Sequence, residues 1–318
     1  MASRSPACVS AAAPIRLETS EVSIAAPKAT DQAVTGAAET GAAERDCLDA
    51  LAADAGGQPG PCVTGTAPSM PSRAPPRTLA RVAEHLTLTV NGIRLAYQAA
   101  GAGGDDPPVV LLHALGERAE DWALVRDALA RDRRVYALDL RGHGLSGRPA
   151  RYSVELMRDD VLGFLDALGL DRIDLVGHSL GGVVAYLVAA EQPHRIGRLV
   201  LEDAPAPLPR ASAAPVRPEG ELDFDWAMVL AVRPELDRPD PAWLTALERI
   251  TAPTLVVHGG PTSHLAAASF DEITARIPDA RLITLPYGHL IHAAAPEEFT
   301  RTVTDFLAKD AAAEPGPL

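Results

Sequence analysis

From Val109 onward, short apolar runs alternate with longer stretches of helical spacing, and this alternation constrains the fold more than any other feature of the chain. Val109–Leu112, Val135–Leu138, Ile173–Val176, Leu199–Leu201, Thr254–Val257 and Arg281–Leu285 read as strands. Between and after them, Asp121–Ala130, Val154–Leu168, Leu180–Ala190, Ser269–Ile277 and Pro296–Leu307 read as helices. Strands joined by helices of this length imply right-handed crossovers and a parallel sheet with both faces covered. Upstream, His85–Val90 alternates apolar and polar residues, Asn91-Gly92 is a hairpin signal, and Ile93–Gln98 returns. The expected fold class is therefore α/β, with a mostly parallel eight-stranded sheet flanked by helices.

The rhythm breaks once. Residues 204–252 are rich in proline and hold Phe224, Trp226 and Trp243, which reads as an inserted lid of short helices rather than a crossover. Residues 1–80 contain no Phe, Tyr or Trp and are rich in Ala, Pro, Ser, Thr and Gly, so they read as a disordered extension. The domain is expected over 81–308, followed by a loose tail at 309–318. Cys8, Cys47 and Cys62 all fall within the extension, an odd set that leaves the domain without a disulfide. With 29 Lys and Arg against 42 Asp and Glu, the net charge is −13, which argues against nucleic acid as a partner. No stretch is apolar and long enough to span a membrane, and the first residues make a poor export signal. A cytoplasmic protein with a small-molecule substrate is expected.

The chemistry centres on Gly177-His178-Ser179-Leu180-Gly181. A serine hydroxyl is a poor nucleophile until a base removes its proton and the side chain is presented to substrate. The pattern G-x-S-x-G meets the second need, because a sharp strand-to-helix turn exposes the serine and only small neighbours fit around it. Here the strand Ile173–Val176 precedes the turn and an apolar helix follows it. Ser179 is the expected nucleophile.

Over residues 85–308 the chain resembles the α/β-hydrolase fold family. Three more motifs occur in that family's order: His113-Ala114-Leu115-Gly116 after a strand, the segment Asp139 to Ser146 resembling D-x-R-G-x-G-x-S, and Gly288-His289. The resemblance implies His289 as general base and the backbone N–H groups of Leu115 and Leu180 as the oxyanion hole. Ala114 stands where glycine is common. His113 and His143 read as structural, and His178 as shaping the pocket with Phe224 and Trp226 against the substrate. His289 and His292 are three apart, but no carboxylate or cysteine cluster accompanies them in the sequence, so neither a metal nor a cofactor is expected.

The acid of the triad is missing from its usual place. After Thr254–Val257 the family carries aspartate, and the matching position here is Thr262. Some relatives place the acid one strand earlier, where this chain has Glu202-Asp203. Asp203 is the expected partner, with Glu202 in reserve; a dyad, Asp271 in its place, or a catalytically impaired binding protein are the alternatives. Serine with a histidine base selects acyl transfer, and a small to medium, largely uncharged ester or lactone is expected. A C–C bond hydrolase, a haloperoxidase-like enzyme or an iminopeptidase-like enzyme would use the same residues.

Overall fold

A computed structural model of the protein describes residues 83–308. Readings made for residues 1–82 and 309–318, the cysteines included, lie outside the described residues. Glu84–Val90 (β1) and Ile93–Ala100 (β2) pair antiparallel across Asn91-Gly92, where both residues adopt positive φ as a tight hairpin turn requires. Val109–Leu112 (β3) is followed by a short 3-10 turn and Ala123–Leu129 (α1), then Val135–Leu138 (β4) and Val154–Ala167 (α2). Ile173–His178 (β5) runs into Leu180–Glu191 (α3), and Ile196–Glu202 (β6) follows. Next come Trp226–Asp237 (α4), Pro241–Ala246 (α5), Thr254–His258 (β7), Ala267–Arg276 (α6), Ala280–Thr284 (β8), Ile291–Ala294 (α7) and Pro296–Leu307 (α8).

The strands form one eight-stranded sheet in the order β1-β2-β4-β3-β5-β6-β7-β8. β2 meets β4 antiparallel, and every pair from β4 through β8 is parallel. Successive strand residues point to opposite faces. Val110 and Leu112 accordingly pack with α2 and α3 on one face, while Val109 and Leu111 pack with Trp122, Val125 and Phe299 of α1, α8 and their flanks on the other. Every residue of α3 but the last is buried, which is why its sequence is apolar all round. Among the described residues no helix is long and apolar enough to cross a membrane.

Between β6 and β7 the lid-like region differs from the expected run of short helices. α4 extends over twelve residues straight through Pro234. A proline there leaves the carbonyl of Leu230 without its helical donor. Leu230 is exposed, so water can satisfy that carbonyl and the helix continues.

Candidate active site

In an open parallel sheet, functional groups gather beyond the carboxyl ends of the strands. Ser179 follows β5, Asp203 follows β6, and His289 lies in the loop between β8 and α7. Ser179 occupies the turn at φ 50° and ψ −111°, a conformation that costs a side-chain-bearing residue on the order of 1–3 kcal/mol. Its N–H donates to the Glu202 carbonyl at 2.9 Å, so the neighbouring strand holds the turn. A Cβ at Gly177 would run into the Gly181 backbone, and one at Gly181 into the carbonyls of Leu112 and His113. The two glycines are thus demanded by close approach.

Asp203 also has positive φ, at 39°, and its carboxylate is fully buried. Oδ2 lies 2.7 Å from His289 Nδ1 and accepts from the Ser263 hydroxyl at 2.5 Å, while Oδ1 accepts from the Gly259 N–H at 2.7 Å. Burial alone would raise this acid, but the hydrogen bonds from His289, Ser263 and Gly259 outweigh burial and hold it below the usual aspartate range. An ionised Asp203 accepts only, which assigns the proton to Nδ1 of His289 and leaves Nε2 as the basic nitrogen. Ser179 and His289 line a common cavity of about 450 Å³. Among the described residues no hydrogen bond engages Ser179 Oγ or His289 Nε2.

Glu202 turns elsewhere. Its carboxylate accepts from the His292 N–H at 2.7 Å and pairs with His292 Nδ1 at 2.9 Å, deep under the site. Asp271, exposed on α6, makes no described bond to His289. Of the acids weighed from sequence, the structure therefore brings Asp203 alone to His289.

The loop after β3 brings Leu115 to the cavity. Leu180 is the first residue of α3, where an N–H has no intrahelical acceptor. Among the described residues no protein acceptor engages the Leu115 N–H. Two buried histidines brace this loop. His113 bridges the Ala114 carbonyl and the Leu140 N–H, and His143 bridges the Arg141 carbonyl and the Gly116 N–H. Burial pushes both imidazoles down, so each stays neutral and can donate at one nitrogen and accept at the other.

Glu117 was not singled out by the sequence, yet it ties the site together. Its carboxylate accepts from the Ala114 N–H at 2.9 Å and pairs with His178 Nδ1 at 3.1 Å. His178 Nε2 in turn donates to the His289 carbonyl at 2.8 Å. Burial would lower His178, but the Glu202 and Glu117 carboxylates prevail and raise it to about 9. The same pairing outweighs burial at Glu117 and lowers it to about 2. A salt-linked bridge thus joins the Leu115 loop to the His289 loop. Only its adjacency to the His113 motif could have drawn notice in the sequence.

Two expectations need correction. Phe224 and Trp226 do not line the cavity. Phe224 is pinned beside His143 by a backbone bridge and packs over Gly116, and Trp226 opens α4 with its side chain against the main core. Met228, Val229 and Val232 are core as well, so the face of α4 turned to the cavity carries Arg233 and Leu236 instead. Arg210, Arg233 and His264 add polar and charged groups to a wall that also carries Leu236 and Leu265. Finally, carboxylates do accompany the histidine cluster: Glu117, His178 and His292 offer ligand atoms within 4.8 Å of one another. Distance along the chain hid this grouping. Much of its donor capacity is spent internally, His178 on Glu117 and His292 on Glu202.

Comparison with known proteins agrees with this architecture. A model of the alpha/beta hydrolase fold family matches residues 107–234. The crystal structure of a hydrolase from Pseudomonas aeruginosa PA01 is 31% identical at a TM-score of 0.56, the match covering 72% of this chain and 100% of that one. The enol-lactonase from Burkholderia xenovorans LB400 is 26% identical at a TM-score of 0.62, over 70% of this chain and 100% of that one. The 2-hydroxy-6-oxo-2,4-heptadienoate hydrolase of Pseudomonas putida is 44% identical over 118 residues, 36% of this chain and 42% of its own. The chain spans between 33% and 42% of the length of the first curated relatives that it matches. Matched by that family model and 31% identical to a hydrolase of known structure that it covers in full, the chain belongs to the α/β-hydrolase superfamily.

Proposed function

We propose that the protein is a serine hydrolase that cleaves a small to medium carboxylic ester or lactone through an acyl-enzyme. The observation that carries this reading is the 2.7 Å contact between buried Asp203 and His289, in the cavity that Ser179 also lines. His289 Nε2 takes the proton of Ser179 Oγ as that oxygen attacks the acyl carbon. Asp203 stabilises the imidazolium through Nδ1–H, and the N–H groups of Leu115 and Leu180 donate to the oxyanion. His289 then gives the proton to the departing alkoxide, and water hydrolyses the acyl-enzyme by the same route in reverse order of roles. A cavity of about 450 Å³ suits a substrate of modest size.

A fluorophosphonate probe tests the assignment. Labelling of the wild-type protein that disappears in Ser179→Ala, with a burst of nitrophenol from p-nitrophenyl esters, is the expected result. An unlabelled wild type would favour the binding-protein alternative. The 44% match to a Pseudomonas putida hydrolase named for a 2-hydroxy-6-oxo-dienoate supports a second reading, cleavage of a C–C bond by the same residues. Turnover of such a dienoate with no turnover of esters would select it.

A further inference from the structure

Arg210, on the segment leading from β6, and Arg233, on α4, reach the same cavity as Ser179 and His289. Both are tethered to one carboxylate. Arg210 Nε donates to Asp237 Oδ1 at 3.0 Å, and Arg233 Nε donates to Oδ2 at 3.1 Å and Oδ1 at 3.2 Å. The Ser212 hydroxyl also donates to Asp237, and the Arg210 N–H donates to the Asp237 carbonyl at 2.9 Å. These donors hold Asp237 below the usual aspartate range against the opposing effect of burial, so it is ionised.

The bookkeeping of charge is then simple: two guanidinium groups share one carboxylate and carry a net positive charge. A guanidinium has N–H donors on Nε and on both η nitrogens. Among the described residues, every hydrogen bond to these two side chains is made through Nε, and none engages an η nitrogen. The side chains are 29% and 32% exposed, so the η groups are reachable yet partly desolvated. Among the described residues no acid on the cavity wall is free to answer them. Among the described residues that line the cavity Glu117 is the one carboxylate, and it is committed to His178 and the Ala114 N–H. His264 is held below its usual range by burial, by His289 and by these same arginines, and adds no negative charge.

One arginine would suffice to anchor Asp237. The second leaves a fixed positive excess in a concave site whose wall also carries Leu236, Leu265 and Leu290. A planar fork of N–H donors matches a carboxylate in a bidentate manner. From this geometry we infer that Arg210 and Arg233 form a subsite for a carboxylate carried by the substrate, so that the natural acyl compound is a half-ester or another carboxylate-bearing ester or lactone. The inference rests on the hydrolase reading for the word substrate, and on the arginines alone for the anion.

Two p-nitrophenyl esters of equal chain length separate these questions, the monoester of glutaric acid and the pentanoate. With spontaneous hydrolysis subtracted, the wild type should favour the carboxylate-bearing ester in kcat/KM by at least about tenfold, chiefly through KM, as expected for charge-assisted hydrogen bonds. In the Arg210→Gln/Arg233→Gln double variant that ratio should fall to about one, and Arg233→Lys should keep part of it. Because the readout is a ratio, a general loss of folded enzyme cancels. A wild-type ratio of one or less, or a ratio unchanged in the double variant, overturns the subsite. If the wild type cleaves neither ester, the hydrolase reading fails on its own. Calorimetric titration of wild type and double variant with glutarate then decides: binding lost in the variant upholds the anion site, and no binding to the wild type overturns it.

Discussion

Glu202 pairs with His292 and Asp203 with His289, so two adjacent acids at the end of β6 hold histidines three residues apart. Both acids are fully buried. The histidines differ: His289 is 23% exposed at the cavity, whereas His292 is 2% exposed and stacked on Trp122 at 4.4 Å. Strand alternation sends Glu202 to the Trp122 and Phe299 side of the sheet. Asp203 has left the strand with positive φ and turns to the mouth. Two such contacts between acid and imidazole therefore differ first in access, and backbone conformation at one residue sets it.

The largest effect that would test this contrast is on turnover. Asp203→Asn should lower kcat for a p-nitrophenyl ester by roughly 10⁴-fold, the scale seen when a triad histidine loses its orienting carboxylate. Glu202→Gln should behave differently, reducing unfolding free energy in urea by about 1.5–3 kcal/mol while kcat falls less than about tenfold. If Glu202→Gln costs more turnover than Asp203→Asn, the roles of the two pairs are reversed.

A third measurement concerns the bridge beneath both pairs. His178 is raised from 6.5 to about 9, so its contribution to stability is complete below 6.5 and is lost as pH climbs through about 9. Glu117, lowered from 4.5 to about 2, shows the same interaction from the acid side: its stabilisation is present above 4.5 and is lost as pH falls toward 2. Thermal unfolding should show a Tm lower by about 5 °C at pH 10 than at pH 7, and His178→Gln should remove most of that difference. An unchanged pH profile in His178→Gln would mean that the bridge carries no charge.

Local pattern carried much of the architecture. The runs Val109–Leu112 and Val135–Leu138 and the helix Pro296–Leu307 are found at the bounds read from sequence, because apolar runs and a Pro at the first helical turn are strong local signals. The glycines around Ser179 were legible for the same reason. The Glu117–His178 contact spans 61 residues and leaves no trace in spacing, so it needed the folded sheet to be seen. In the lid, sequence alone makes Phe224 and Trp226 a cover for substrate. Burial against the domain core claims Met228, Val229 and Val232 first, and helical periodicity then turns Arg233 and Leu236 to the cavity.

The departure at Thr262 acquires a different meaning in this light. On the proposed mechanism the acid sits at the end of β6, and the segment after β7 has no reactive group to supply. Gly259 and Ser263 steady Asp203, while His264 and Leu265 beside them face the cavity. The segment after β7 thus has two faces, Gly259 and Ser263 toward Asp203 and their neighbours toward the cavity. On that reading His264 and Leu265 are the positions open to change for a new substrate, while Gly259 and Ser263 are tied to Asp203.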